Sequence, residues 1–395
     1  MANTPSPSTD QLTPDRSAPW LEPRGLYVHV PFCAHHCGYC DFAVTVGQDH
    51  LIETYLEALA LEIDRTEVTT PVDTIFIGGG TPTLLSPDQL GRLAGMIRRH
   101  FPTRPNLEFS IESTPESITA DKVAVLADHG LNRFSLGVQS FQGHTLRVLE
   151  RQHSGDQVTP AVEIIRRRVP NFSMDFIFGA PGQTITDWEH DLKRAIALGS
   201  SHISTYGLTY EKGTPLWKQR ESGDVIALGE TDELALYTMS HELLGSAGFE
   251  HYEISNFAKP DHRCQHNEKY WANEAYHGVG VGAVRYVGGR REHNKRNTKD
   301  YIRVVFSGES PTFQQEELSP FERARETLAV QLRRSDGVSR QAFLHQTGHS
   351  LKSIVQHRLA PMIEAGLVTD ENECVSLTFA GKCVADGLVS KVVWG

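Results

Sequence analysis

The sequence predicts an α/β protein built on parallel strands, and three observations carry that prediction. Short β-branched runs alternate six times with longer stretches of helical period. The chain has 395 residues, 39% of them hydrophobic, which is enough for a barrel-sized core and a smaller one. A cysteine-rich loop directly follows the first run, at the strand end where such folds keep their functional groups. Strand, helix and strand in repetition imply right-handed crossovers, hence an α/β barrel or an open sheet.

Residues 1–24 are rich in Pro, Ser, Thr and Asp with little to bury, and are expected to form a disordered leader. A barrel region is expected over 25–250, with strands at LYVHV (26–30), TIFIGG (74–79), LEFSIE (107–112), NRFSLGV (132–138), FSMDFIF (172–178) and HISTYGL (202–208). The intervening stretches, such as 51–63 and 87–100, carry apolar residues at i, i+3, i+4 and i+7. Residues 251–317 form a connecting region. Up to residue 300 it is rich in Gly, His, Asn and aromatics (HYEISNF, QHNEKYW, YHGVGVGA), a composition that suits irregular backbone close to a ligand. Over 318–395, two helical stretches (ERARETLAVQLRR and KSIVQHRLAPMIEAGLV), a short β-ribbon around CVSLT and a last helix suggest a small α+β module like a winged helix.

Charge and hydropathy exclude several classes. With 38 Lys+Arg against 49 Asp+Glu, the net charge of -11 opposes non-specific attraction to nucleic acid. The winged-helix-like end also lacks a basic recognition helix, so no nucleic-acid partner is expected. No apolar run approaches the roughly 20 residues of a spanning helix and no signal pattern opens the chain, so the expected location is cytoplasmic. Peripheral membrane contact through a local basic patch stays open, as does the oligomeric state. Cys264, Cys374 and Cys383 are scattered and read as packing residues.

Cys33, Cys37 and Cys40 are spaced x3 and x2 just after the first strand. At ordinary cysteine frequency, a given cysteine has roughly a 2 in 10,000 chance of being followed at both offsets, so the pattern is not accidental. Three thiolates within eight residues are too close for a disulfide framework but can wrap an inorganic cluster. On a 4Fe-4S cube they leave one iron open, the mark of a reactive site. The plainer alternative is a structural zinc ion that borrows His35, His36 or Cys264 as fourth ligand.

The loop HVPFCAHHCGYCDF resembles the cluster loop of radical S-adenosylmethionine (SAM) proteins. Tyr27-x-His29 before it narrows the likeness to the branch containing oxygen-independent coproporphyrinogen III dehydrogenase, and the resemblance runs from about residue 25 to the C-terminus. That dehydrogenase carries a further cysteine two residues after the third. Here that position is Phe42, as in the related heme chaperone family, HemW, whose HNxxYW pattern is also present from His266 to Trp271.

The resemblance implies a partial (β/α)6 barrel, a 4Fe-4S cluster, and SAM on the open iron. The reduced cluster would pass one electron to SAM, with no side chain needed as acid or base. It assigns Gly79, Gly80 and Thr81 to the methionine end of SAM, where glycines let a ligand approach the backbone. Glu112, at the end of the third strand, is read as a partner for the SAM ammonium or ribose, or else as a surface charge. Gln139 ends the fourth strand and suits ribose or adenine, and Arg151 resembles the arginine near the SAM carboxylate. Asp175, inside an apolar strand, needs a partner such as ribose hydroxyls or protein caps. Tyr27 is placed against SAM by the family and is otherwise a core aromatic.

For the heme chaperone the implied cargo is heme and the implied partners are apo-heme-proteins. His266 is the candidate iron ligand, with His262, His277 and His293 behind it. Tyr270, Trp271 and Tyr276 are candidates for an aromatic wall, and Arg285, Arg290, Arg291, Lys295 and Arg296 for propionate partners, unless these are a solvated face. The alternative function is oxidative decarboxylation of coproporphyrinogen III, which Phe42 argues against.

Overall fold

The computed structural model describes residues 20–394. The expected leader lies outside the described residues up to residue 19, and at its end Trp20 packs edge-on against His345.

Six strands, β1 (Gly25–Val30), β2 (Val72–Gly79), β3 (Thr103–Ser113), β4 (Arg133–Gln139), β5 (Phe172–Phe178) and β6 (His202–Gly207), overlap the six expected runs. They pair side by side in chain order, all parallel. Alternation within each strand divides two environments. In β1, Leu26, Val28 and Val30 are fully buried in the main hydrophobic core, while Tyr27 and His29 take the other face. The helices Ile52–Arg65 and Pro87–His100 lie on the apolar side, burying Leu56, Leu59 and Ile63 of the first and Leu90, Leu93 and Ile97 of the second. Ser86 and Gln89 close a capping box at the start of the second helix, with Pro87 at its first position.

The connecting region differs from the irregular backbone its composition suggests. β7 (Glu250–His251) and β8 (Asn256–Ala258) prolong the sheet antiparallel beyond β6. β9 (Tyr276–Val279) pairs parallel with β1, and β10 (Val284–Val287), β11 (Arg290–Asn294) and β12 (Thr312–Glu317) continue it antiparallel. The result is a twelve-stranded sheet ordered β12-β11-β10-β9-β1-β2-β3-β4-β5-β6-β8-β7, a partial barrel whose sides are extended and not joined. The glycines here serve packing: a Cβ on Gly278 would lie 1.9 Å from the Val284 carbonyl oxygen.

A second hydrophobic core, including Leu328, Phe343, Ile354, Val375 and Val392, holds the C-terminal helices around a three-stranded antiparallel sheet. The stretch read as one helix, KSIVQHRLAPMIEAGLV, is two, Leu351–Val355 and Leu359–Glu364, separated at Gln356 with φ 51°. Pro361 explains the break, because it has no N–H to donate to the preceding turn and its ring would clash there. No described helix is long and apolar enough to cross a membrane.

Glu62 fastens the connecting region to the first helix. Its buried carboxylate accepts from Gly280 N–H and Asn294 Nδ2, each at 2.7 Å, and from the Tyr301 hydroxyl. Truncation leaves three donors without an acceptor, so Glu62→Ala should lose about 3 kcal/mol of stability in urea unfolding at matched cofactor content. A loss below about 1 kcal/mol would show that the network is not holding the two segments together.

Candidate functional site

The cysteine loop begins where β1 stops. Its two ends are zipped by a short parallel pairing of Phe32–Cys33 with Thr45–Val46, and Thr45 N–H donates to the Pro31 carbonyl at 2.7 Å. The thiols of Cys33, Cys37 and Cys40 are partly buried and line one cavity of about 930 Å3 at the C-terminal ends of the parallel strands. Burial pushes the Cys33 thiol up to about 11 and raises that of Cys40, so in isolation these groups hold their protons. A bound iron cluster supplies the positive charge that releases them.

A single-ion site fits less well. Among the described residues no three His, Cys, Asp or Glu side chains converge where one ion could sit, whereas zinc is gripped by each thiolate at about 2.3 Å. Cys264 is also out of reach. Its thiol lies 3.7 Å from Glu108, which pairs with Thr74 near the start of β2, four residues before Glu112 along β3.

The glycine turn after β2 is stapled to the same loop. Gly80 N–H donates to the Val30 carbonyl and Thr81 N–H to that of Phe32, both at 2.8 Å, and the Thr81 hydroxyl lies 3.6 Å from Cys33 Sγ. A Cβ at Gly79, where φ is 111°, would meet the His29 ring at 2.5 Å, and one at Gly80 would meet the Pro31 and Phe32 carbonyls at 2.7 Å. The space these glycines leave is thus taken by the protein itself, not by a ligand beside their Cα atoms.

Glu112 accepts from Gly79 N–H at 2.9 Å through one oxygen; burial, with the nearby Asp175 charge, pushes its carboxyl up to about 7. Asp175 is capped within the protein: one oxygen accepts from the Ser204 hydroxyl at 2.6 Å, the other from Ser135 at 2.7 Å. Burial nevertheless raises its carboxyl. Gln139 stands at φ 63°, beside an irregularity in the β4–β5 pairing. That backbone conformation is uncommon for a side-chain-bearing residue and goes with functional sites. Arg151 donates from Nη1 to Cys37 Sγ at 3.5 Å and from Nη2 to the Gly137 carbonyl at 3.2 Å.

Eight of the assigned side chains and glycines beyond the cysteines can now be placed. Gly79, Gly80, Thr81, Glu112, Gln139, Arg151 and Asp175 line the cavity with the cysteines, while Tyr27 is not on its wall. The Tyr27 hydroxyl is 3.1 Å from His29 Nδ1, and His29 Nε2 is 2.9 Å from the Ala43 carbonyl. Burial lowers His29 to about 4, so the ring is neutral and carries its proton on Nε2, donating to Ala43 and accepting from Tyr27. Tyr27 therefore bears on the far end of the cysteine loop through His29. Tyr206 was missed: it reaches the cavity from β6, two residues beyond Ser204 on the same face. Its position at a strand end in phase with an inward residue was the readable signal.

His266 is elsewhere. It belongs to the helix Gln265–Trp271, is 1% exposed, and its ring stacks on Phe76. Nδ1 lies 2.8 Å from Thr74 Oγ1 and Nε2 2.9 Å from the Tyr270 hydroxyl. Thr74 and Gly79 are five residues apart on β2, about 16 Å at strand spacing, so His266 sits at the other end of the sheet from the cysteines. In this arrangement both ring nitrogens have protein partners, which leaves neither turned toward a heme iron, and burial lowers the ring's pKa to about 3, so it is neutral. The neighbouring readings change with it. Tyr276 packs on Tyr270, and all four of the arginines face carboxylates: Arg285 and Arg290 Glu292, Arg291 Glu326 and Arg296 Asp41. His277 is 3% exposed.

Residues 27–195 match the radical SAM superfamily and residues 318–384 the HemN C-terminal domain. The heme chaperone HemW of Bacillus subtilis is 36% identical over 92% of this chain and 97% of its own length. That of Lactococcus lactis is 32% identical over 91% and 94%. The structure of coproporphyrinogen III oxidase (HemN) from Escherichia coli, a radical SAM enzyme, superposes with a TM-score of 0.83 over 95% of this chain and 91% of that one, at 23% identity, which is a likeness of fold. The superfamily carries a 4Fe-4S cluster and uses SAM, and the cavity's three thiols and polar wall fit both. By its length of shared sequence with curated relatives, the chain belongs to the HemW family of the radical SAM superfamily.

Proposed function

We propose that this protein is a heme chaperone, binding heme and passing it to apo-heme-proteins, with a 4Fe-4S cluster on Cys33, Cys37 and Cys40 and SAM beside it. The observation that carries the reading within the family is Phe42. It stands two residues after the last cysteine, 66% exposed on the cavity wall, and a phenyl ring offers neither a thiol nor redox chemistry there. In functional terms residues 25–250 are the cofactor barrel, 251–317 the connecting region and 318–395 the C-terminal module.

Within the cavity, Gly79, Gly80 and Thr81, whose N–H groups are committed to Glu112, Val30 and Phe32, face the methionine end of SAM through their carbonyls, and Glu112 receives its ammonium. Arg151 keeps a buried Nε–H without a partner among the described residues, suited to a carboxylate. Gln139 serves the ribose or adenine. Asp175, held by two serines with one bond to each oxygen, keeps acceptor capacity on both and faces the ribose hydroxyls from the cavity wall. When bound, the cluster and SAM supply the radical chemistry; the protein's part is to orient and desolvate them.

Cys33→Ala, Cys37→Ala or Cys40→Ala should each abolish the cluster, seen as loss of iron, sulfide and the broad absorption near 400 nm, because two thiolates do not hold four irons. Full iron content in any variant would remove that residue from the ligand set. SAM affinity should rise about tenfold as pH goes from about 5.5 to about 7. Glu112 gains its carboxylate over that interval and the ammonium prefers the ionised form, so Glu112→Gln should flatten the profile. A pH-independent wild type would sever Glu112 from SAM.

The function itself is tested by anaerobic reconstitution with parallel assays of heme binding and coproporphyrinogen III conversion. Stoichiometric heme binding, transfer to an apo-heme-protein and no conversion are expected; robust decarboxylation would overturn the chaperone reading. In the same assay His266→Ala should leave the spectrum of bound heme unchanged, since the ring is committed to Thr74 and Tyr270. A displaced Soret band in a folded variant would restore it as a ligand.

A further inference from the structure

The turn that carries Arg151 grips the cysteine loop from outside. Leu149 packs with Tyr39, and Glu150, held at φ 54°, brings its carboxylate 3.7 Å from His35 and against the backbone of Gly38. This places the Arg151 guanidinium between β4 and the loop, fixed at two points: the Gly137 carbonyl and the sulfur of Cys37. A guanidinium keeps its charge at every working pH, so the thiolate ligand faces a permanent cation and an N–H donor together. The opposing charges are Glu150, 37% exposed and shared with His35, and Glu116, 30% exposed and shared with His153, so solvent screens both, whereas Arg151 touches the sulfur directly.

We propose that Arg151 is a positioning residue that acts through Cys37 to raise the reduction potential of the 4Fe-4S cluster. Reduction adds one electron to the cluster and makes its sulfur ligands more negative; no bond breaks and no proton moves. A fixed cationic donor on one sulfur therefore stabilises the reduced form more than the oxidised one. The role is separate from any contact with SAM and from the heme cargo, and rests only on the cluster assignment.

The test is an EPR-monitored redox titration of cluster-loaded wild type, Arg151→Gln and Arg151→Lys without SAM, with dithionite as the electron donor. Arg151→Gln should lower the reduced-to-oxidised ratio at a given potential about tenfold, or about 59 mV for one electron. Arg151→Lys, which keeps the charge, should recover most of that difference. Equal midpoints for wild type and Arg151→Gln would reduce Arg151 to a structural brace and overturn the proposal. Should the variants take up no iron, wild type containing 15N-arginine decides: pulsed EPR of its reduced cluster should show a weakly coupled arginine nitrogen, and its absence would overturn the proposal. A failure of the cluster assignment is distinct, because wild type would then lack four irons altogether.

Discussion

The barrel mouth depends on the backbone stitching between the glycine turn after β2 and the start of the cysteine loop. Gly80 and Thr81 donate to the carbonyls of Val30 and Phe32, and Thr45 closes the loop's other end on Pro31. Those bonds require the two backbones to lie against each other, which a Cβ at residue 80 would prevent, while one at 79 would strike the His29 ring. The cysteines thereby inherit the position of a strand end. Beyond the short pairing that closes its ends, their loop needs no secondary structure of its own, because β1, the glycine turn, His29 at Ala43 and the Leu149–Arg151 turn fix it from four sides.

Once the loop is placed, the two ends of the strands take different tasks. The C-terminal end gathers thiols, a raised carboxyl at Glu112 and the Arg151 cation around open space. The N-terminal end closes on itself. There Glu108 accepts from the N–H groups of Gln265 and His266, capping the helix that carries HNxxYW, and His266 locks that helix onto β2 through Thr74. The motif's histidine and tyrosine are thus a fastening between the connecting region and the barrel. The His266 ring nitrogens and the Tyr270 hydroxyl are satisfied internally, as groups so deeply buried must be.

The strands and the cavity residues were legible because the signals are local: period-two runs bounded by turns, and functional residues at strand ends. The pairing of β9 with β1 was not, since it joins segments some 250 residues apart in a chain whose intervening composition resembled a ligand loop. Gly278 and Gly280 carried two explanations, close backbone packing and ligand approach, and composition alone does not separate them. The partners of His266 were hidden for a similar reason, although Tyr270 lies at i+4 on the same helix face, a spacing that allows a side-chain pair. Tyr27 was placed against SAM by analogy, and its hydroxyl's contact with His29 was not readable from the strand pattern.

The central claim is that three thiolates hold a four-iron cluster and leave one iron open toward the cavity that SAM enters. The most direct measurement is the EPR spectrum of the dithionite-reduced cluster before and after adding saturating SAM. The account predicts a changed spectrum, because SAM binds the open iron. A spectrum unaltered by bound SAM would mean that the fourth iron already has a protein ligand, and would contradict it.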